Sequence, residues 1–263
     1  NKTSDKENPM ILSSFPEKKK FTELAEAATV IPVCTRILAD METPVSILHK
    51  FYHKKTPSFL LESVEGGERW ARYSFMGVSA HGTITILENH VKIETKSENK
   101  TIDHDQDPLK MMRDISKTYK PADIPQLPRL WSGLTGYFTY EMVKFFEDIP
   151  VNLPDETPYG HFIIPDEMII FDNVQQTLTC LKICYLTDDT PPDEAYENAL
   201  TGLDKMIRTI NTPMPSIPDN FNDLQVEFTS QTPAFEYMAG VETIKDHIIK
   251  GDIFQAVYSQ PFT

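Results

Sequence analysis

Residues 59–77 read FLLESVEGGERWARYSFMG, an apolar run that gives way within a dozen residues to charges and two glycines. The apolar residues predict a buried strand that ends at Glu62 and Ser63. A carboxylate pairs with cations, and a hydroxyl both donates and accepts hydrogen bonds. The end of this strand could therefore receive an ammonium group or a carboxylate from a ligand.

The residues after the strand end predict a turn followed by cationic side chains. Gly66 and Gly67 permit positive φ, and Arg69 and Arg72 follow within reach of an anion. A plainer interpretation stays open from these residues alone. In that interpretation a strand end, a loop and a second strand carry ordinary solvated ion pairs.

The composition limits the class of protein. With 263 residues, 40% of them hydrophobic, the chain can bury a sizeable core. A formal charge of -14 disfavours nucleic acid and anionic membranes as partners. No apolar run approaches the roughly 20 residues of a membrane-spanning helix, and the first residues lack an apolar signal region. We expect a cytoplasmic protein whose three cysteines, Cys34, Cys180 and Cys184, are reduced packing residues.

Alternating and helical patterns predict the fold class. Polar and apolar residues alternate on both sides of Asn89 within 82–95, and a second hairpin pattern over 167–186 turns near Asp172. Helical spacing begins at Pro44, behind Thr43 as N-cap, and recurs in later segments that include 193–210. These patterns predict an α+β fold of antiparallel, sandwich-like β-sheets with inserted and flanking helices.

Proline content and periodicity predict the domain organisation. Residues 1–20 are interpreted as an irregular tail, 21–210 as the main region and 211–232 as a Pro-rich linker. In 233–263, a helix with Thr232 as N-cap closes at Gly251 and leads into a strand. A helix and one strand cannot form a core, so we expect this last region to be truncated.

Three further segments accompany 59–77 in order along the chain: ADMETPVSILHKF at 39–51, GLTGYFTYEMVKFFE at 133–147 and IKDHIIKGDIFQAVYSQPF at 244–262. Together the four segments resemble component I of anthranilate synthase, a chorismate-utilising enzyme, in its N-terminal portion. The resemblance implies that 21–210 is the tryptophan-binding region and that 233–263 opens the chorismate-binding catalytic domain.

The resemblance also assigns roles to residues. The family's Leu-Leu-Glu-Ser element lines the site where L-tryptophan binds as feedback inhibitor, which implies that Leu61, Glu62 and Ser63 line it here. Ser63 would hydrogen-bond the polar end of the ligand, and Glu62 would favour its ammonium group. Arg72 is a weaker candidate for the ligand's carboxylate.

Gln255 is the predicted catalytic position. Strand alternation would place it on one face with Ile253, Val257 and Ser259. Relatives that add water to chorismate carry a lysine at the position corresponding to Gln255, and a lysine can act as a general base. A neutral glutamine suits an enzyme that adds ammonia, so Gln255 is expected to select the nucleophile. Pro261 departs from the family's basic residue and puts pairing at that strand end in doubt.

The activity implied by the resemblance is that of a lyase that converts chorismate and ammonia to anthranilate and pyruvate. A glutamine amidotransferase subunit would supply the ammonia. The residues that bind Mg²⁺ are expected beyond Thr263. This chain is therefore expected to be an inactive fragment without metal ligands. One alternative is component I of aminodeoxychorismate synthase. Another is a non-catalytic tryptophan-binding module.

Overall fold

The computed structural model describes residues 11–39, 42–62, 72–151, 153–154, 156–215 and 227–263. The chain divides between Pro215 and Ser216 into two compact units, called here the first unit and the second unit.

The first unit combines one antiparallel sheet with helices, which confirms the predicted α+β class. Its strands are β1 (Ile11–Phe15), β2 (Val30–Leu38), β3 (Phe59–Leu61), β4 (Tyr73–Ile86), β5 (His90–Thr95), β6 (Asn99–Asp103), β7 (Thr135–Phe138), β8 (Gly160–Asp172) and β9 (Thr177–Tyr185). Its helices are α1 (Lys18–Ala25), α2 (Pro44–Phe51), α3 (Pro108–Thr118), α4 (Pro192–Ile210) and a short 3-10 helix at Tyr140–Phe145. The second unit contains α5 (Ala234–Lys250).

The long strands β4 and β8 pair with each other and divide the sheet into two halves. The strand order is β1-β2-β9-β8-β4-β5-β6, with β3 added to the first part of β4 and β7 added to the first part of β8. The register between β4 and β8 shifts three times between Gly77 and Gly82. Such bulges bend and twist strands, so the sheet curls where its two halves meet.

Each half of the sheet has its own hydrophobic core. The larger core packs α1, α2 and α4 against the sheet through residues such as Phe21, Ile47 and Leu203. The smaller core joins Ile84 and Ile164 of the sheet to helix α3. Cys34 and Cys180 are buried in the larger core as free thiols, as predicted, and burial raises the pKa of Cys180 to about 12.

Two helices of the first unit, α2 and α3, begin with side-chain caps. The Thr43 hydroxyl accepts a hydrogen bond from the Ser46 amide at 3.1 Å, and the Ser46 hydroxyl accepts one from the Thr43 amide at 2.9 Å. This reciprocal capping box satisfies two amides that the helix itself leaves free. At α3 the Asp107 carboxylate accepts from the Lys110 amide at 2.9 Å.

Two expectations for the first unit are wrong. Part of the predicted irregular tail is ordered, because β1 pairs with β2, and α1 already begins at Lys18. The segment 59–62 is no buried strand: β3 has three residues, and Leu61 is 42% exposed. Strand β7 ends at Phe138, after which the chain turns into the 3-10 helix.

The second unit differs from its prediction at both ends. Helix α5 begins one residue later than expected, and its N-cap residue Pro233 makes no side-chain capping bond. Gly251 closes the helix with φ of 81°, as predicted. The strand predicted after it is absent, and a single bridge joins Phe262 to Ser230. A strand needs a partner along its length for its backbone groups, and the described residues provide no partner strand for 253–260.

Candidate functional site

The predicted ligand-binding strand end lies where β3 meets β4. Leu61 pairs with Phe75 of β4, and Glu62 follows it as an exposed residue. Because the two strands are antiparallel, the end of β3 and the start of β4 lie at the same edge of the sheet. The topology therefore brings Leu61, Glu62 and Arg72 to one edge, whereas Ser63 lies outside the described residues.

Arg72 is engaged by Asp172, the last residue of β8. Arg72 Nε lies 3.3 Å from Asp172 Oδ1, and Arg72 Nη2 lies 2.8 Å from Asp172 Oδ2. The guanidinium also lies 4.9 Å from the centre of the Tyr73 ring. Two-point pairing and an aromatic neighbour fix the plane of the guanidinium. The predicted role of Arg72 toward a ligand carboxylate stays a prediction.

Asp172 is a buried carboxylate held by several donors. Its Oδ1 accepts the backbone amides of Val174 at 3.1 Å and Gln175 at 3.0 Å. Burial opposes ionisation of this carboxyl, but the hydrogen bonds from Arg72 and Gln175 and the charge of Arg72 outweigh burial and hold its pKa below the usual value. Asp172 is therefore ionised at neutral pH.

A second arginine, Arg36 of β2, lies on the same side of the sheet. Its Nε donates to the Thr179 hydroxyl, and its Nη2 donates to the Gln126 carbonyl, both at 3.3 Å. Among the described residues it forms no ion pair with a carboxylate. Arg36 and Arg72 border a small polar cavity of about 130 Å³, lined also by Tyr73, Gln126, Pro128, Ile170, Asp172, Gln175, Thr177 and Thr179.

The charges of this cavity favour an anionic group. Two arginines face one carboxylate, which leaves one positive charge without a carboxylate partner in the described part of the chain. Reasoning from the sequence named Arg72 but missed Arg36 and Asp172. Arg36 carried a usable signal, because it is the one charged residue in strand β2. Asp172 was interpreted only as a turn residue.

Gln255, the predicted catalytic position, belongs to the second unit. It follows α5 in a segment without strand structure, and its side chain is exposed. The predicted alternation of faces around it is therefore wrong for this structure. Its role in selecting the nucleophile stays a prediction.

The described residues offer no metal centre. No group of three or more His, Cys, Asp or Glu side chains among them could hold a metal ion. The described residues do not fit Mg²⁺. In the same part of the chain, no helix combines the length and apolar character needed to cross a bilayer.

Sequence comparison gives the chain a family. A family model described as chorismate binding enzyme matches residues 57–263. Anthranilate synthase component 1 of Acetivibrio thermocellus is 30% identical over 257 residues, which cover 94% of this chain and 51% of the relative. The protein of the same name from Acinetobacter calcoaceticus is 33% identical over 246 residues, which cover 90% of this chain and 48% of the relative.

Structural comparison agrees on the fold. The crystal structure of anthranilate synthase component I from Streptococcus pneumoniae superposes with a TM-score of 0.53 at 23% sequence identity. The match covers 86% of this chain and 48% of the other. The chain thus spans about half the length of the relatives that it matches. Because the family model matches most residues of this chain, the chain belongs to the chorismate-binding enzyme family.

Proposed function

We propose that the protein containing this chain is component I of anthranilate synthase, a lyase of aromatic amino acid biosynthesis. The observation that carries the proposal is the 30–33% identity to proteins of that name over at least nine-tenths of the chain. The complete protein would convert chorismate and ammonia to anthranilate and pyruvate. A glutamine amidotransferase subunit would supply the ammonia, and Mg²⁺ would be held by residues other than those described.

Feedback inhibition by L-tryptophan is the second part of the proposal. Leu61, Glu62 and Ser63 would form one wall of the inhibitor site, at the sheet edge where β3 ends. An amino acid needs an acidic partner for its ammonium group and a cationic partner for its carboxylate. Glu62 is exposed at this edge. Arg36 lacks a carboxylate partner among the described residues, which makes it a better candidate than Arg72 for an anionic ligand group.

Gln255 would take part in the reaction with chorismate. A glutamine amide has no basic site at neutral pH, so it cannot activate water by removing a proton. Ammonia is already a nucleophile in its neutral form. A neutral side chain at this position would therefore favour amine transfer over hydration.

The test is the identity of the product formed by the complete gene product. The protein is incubated with chorismate, Mg²⁺ and ammonium salt, and separately with glutamine and the purified amidotransferase subunit. Anthranilate and pyruvate in equal amounts support the proposal. Accumulation of aminodeoxychorismate without pyruvate would instead identify component I of aminodeoxychorismate synthase.

A non-catalytic tryptophan-binding module is tested on the 263-residue chain itself. A ligand that binds only the folded state raises the melting temperature in a saturable manner. A saturable shift with L-tryptophan, together with no turnover of chorismate by the complete gene product, would support the module. No shift at millimolar tryptophan would contradict the module.

A further inference from the structure

One cavity of the first unit lies away from the β3 end and has no role in the proposed function. Its volume is about 450 Å³, within the range of small-molecule sites. It is bordered by the start of β2, the end of β9 and the end of α3. The residues that line it are Val30, Ser116, Tyr119, Pro121, Arg129, Ser132, Gly133, Leu134, Ile164 and Tyr185.

Two tyrosine rings form a rigid wall of this cavity. The rings of Tyr119 and Tyr185 meet edge to face, with centroids 5.7 Å apart. The Tyr185 hydroxyl donates to the Pro165 carbonyl at 2.7 Å, and His81 stacks on the Tyr185 ring at 4.1 Å. These contacts hold Tyr185 in place before any ligand arrives. Together with the aliphatic lining residues, the rings favour an apolar ring as the buried part of a ligand.

Arg129 is the charged residue of the lining. Its side chain is exposed and makes no ion pair among the described residues. Ser132 also borders the cavity, and its hydroxyl has no hydrogen-bond partner in the same set. Gly133 lies next to it with φ of 122°, a conformation that favours glycine. A guanidinium with free donors suits a planar carboxylate.

The lining contains no Asp or Glu side chain. Glu98 acts on Tyr119 from outside the lining, where burial first and the charge of Glu98 second raise the tyrosine's pKa. An ammonium group would therefore lose its water inside the cavity without gaining an acidic partner there. This separates the site from one that recognises a whole amino acid.

We propose that this cavity, with its two tyrosine rings and with Arg129 at its border, binds a carboxylate that carries an apolar ring and no ammonium group. The ring lies against Tyr119 and Tyr185, and the carboxylate is bound by Arg129. None of the residues that line this cavity belongs to the predicted inhibitor site or is the predicted catalytic position, Gln255.

Trp131 provides the readout. It is buried, with 6% exposure, and lies in the chain between the lining residues Arg129 and Ser132. In the 263-residue chain carrying Trp70→Phe, Trp131 is the remaining tryptophan, and its fluorescence is followed during titration. The probe is 3-phenylpropionate. L-Phenylalanine adds an ammonium group to this probe, and 3-phenylpropanamide removes its charge.

We expect saturable binding of 3-phenylpropionate. The amide and Arg129→Gln should each weaken binding roughly tenfold or more, because charged hydrogen bonds are lost. L-Phenylalanine should bind roughly tenfold or more weakly because its ammonium group loses water without gaining an acidic partner. The matched control is Arg113→Gln, which removes an exposed arginine outside the lining and should leave affinity within about twofold. Melting temperatures confirm that the variants fold. The proposal is overturned by absence of saturable binding, by equal affinity for the amide, or by equal weakening in the two arginine variants.

Discussion

Arg72 and Asp172 connect the residue before β4 to the last residue of β8 by a two-point ion pair, with the shorter contact, Nη2 to Oδ2, at 2.8 Å. The same carboxylate accepts two backbone amides of the β8–β9 turn, from Val174 and Gln175. Asp172 thus links the β4–β8 strand pair to the β8–β9 turn at the border of the polar cavity.

Asp172→Asn should lower the free energy of unfolding at pH 7 by about 1–3 kcal/mol, because a charged acceptor of several hydrogen bonds is replaced by a neutral amide. The pKa of Asp172 is lowered in the folded state, so its contribution is present above the unfolded pKa of about 4 and is lost as pH falls through the folded pKa. Urea unfolding between pH 7 and pH 3 should show the difference between wild type and variant shrinking toward acid pH.

The control for this prediction is Asp188→Asn, at an exposed aspartate without an ion pair in the described residues. It should change stability by less than about 0.5 kcal/mol at every pH. A constant difference between wild type and Asp172→Asn across the pH range would mean that the ionised form of Asp172 does not stabilise the fold.

Lys50→Met should destabilise the first unit by about 2–4 kcal/mol. The Lys50 side chain is 5% exposed, forms an ion pair with Glu42 and donates to the Ile210 carbonyl at 2.7 Å, at the end of α4. Its removal leaves a partly buried carboxylate and a helix-end carbonyl without this partner. Chemical denaturation measures the effect. Lys54→Met, at an exposed lysine nearby in sequence, should cost under about 0.5 kcal/mol, and equal losses would refute the assignment.

Gly136→Ala should destabilise the β7–β8 pair by about 1–3 kcal/mol through overpacking. A Cβ at Gly136 would stand 2.0 Å from the His161 carbonyl oxygen and 2.7 Å from Phe162 Cα, and backbone atoms cannot simply rotate away. Gly202→Ala is the matched contrast in helix α4. Its Cβ would lie 3.3 Å from the flexible Lys182 side chain, so helix propensity should dominate and stabilise by about 0.5–1 kcal/mol. Thermal unfolding should show melting temperatures that move in opposite directions.

Ser63→Phe should weaken tryptophan inhibition of the complete enzyme by roughly tenfold or more, because a bulky ring would occupy the inhibitor site and remove a hydrogen-bonding hydroxyl. The measured quantity is the ratio of rates with and without tryptophan in one preparation. Ser97→Phe, at an exposed serine in the β5–β6 turn, should leave that ratio unchanged. Unaltered inhibition of the Ser63 variant would remove Ser63 from the site.

Gln255→Lys should lower anthranilate formation by roughly tenfold or more and permit some addition of water to chorismate, since a lysine amine can serve as general base. Gln231→Lys makes the same charge change at an exposed glutamine of the second unit. Chromatography of the products distinguishes amination from hydration. If both variants formed anthranilate at the wild-type rate, Gln255 would have no part in choosing the nucleophile.

Local chemistry explains what the sequence predicted well. The Thr43–Pro44 helix start and the hairpin around Asn89 depend on neighbouring residues, and both are observed. Strand β1 was missed because its order comes from pairing with β2 and its own residues are largely exposed. The strand predicted after Gly251 failed for the opposite reason, since its residues suit a strand but find no partner strand in the described part of the chain.

The candidate site was predictable only in part. The residues at the end of β3 were found because they stand together in one motif. Asp172 pairs with Arg72 across a separation of 100 residues, and Arg36 approaches the same cavity from β2. Such long-range proximity follows from the order of strands in the sheet, which periodicity alone does not specify.

The two long strands that serve both cores also restrict how this protein can change its length. A single residue inserted within β4 or β8 would reverse the inward and outward faces beyond that point, and it would misalign one or both cores. Insertions and deletions should therefore survive at the hairpin ends, near Glu88 and Asn89 or near Gln175. In the interiors of β4 and β8, divergence among relatives should proceed by substitution rather than by changes in length.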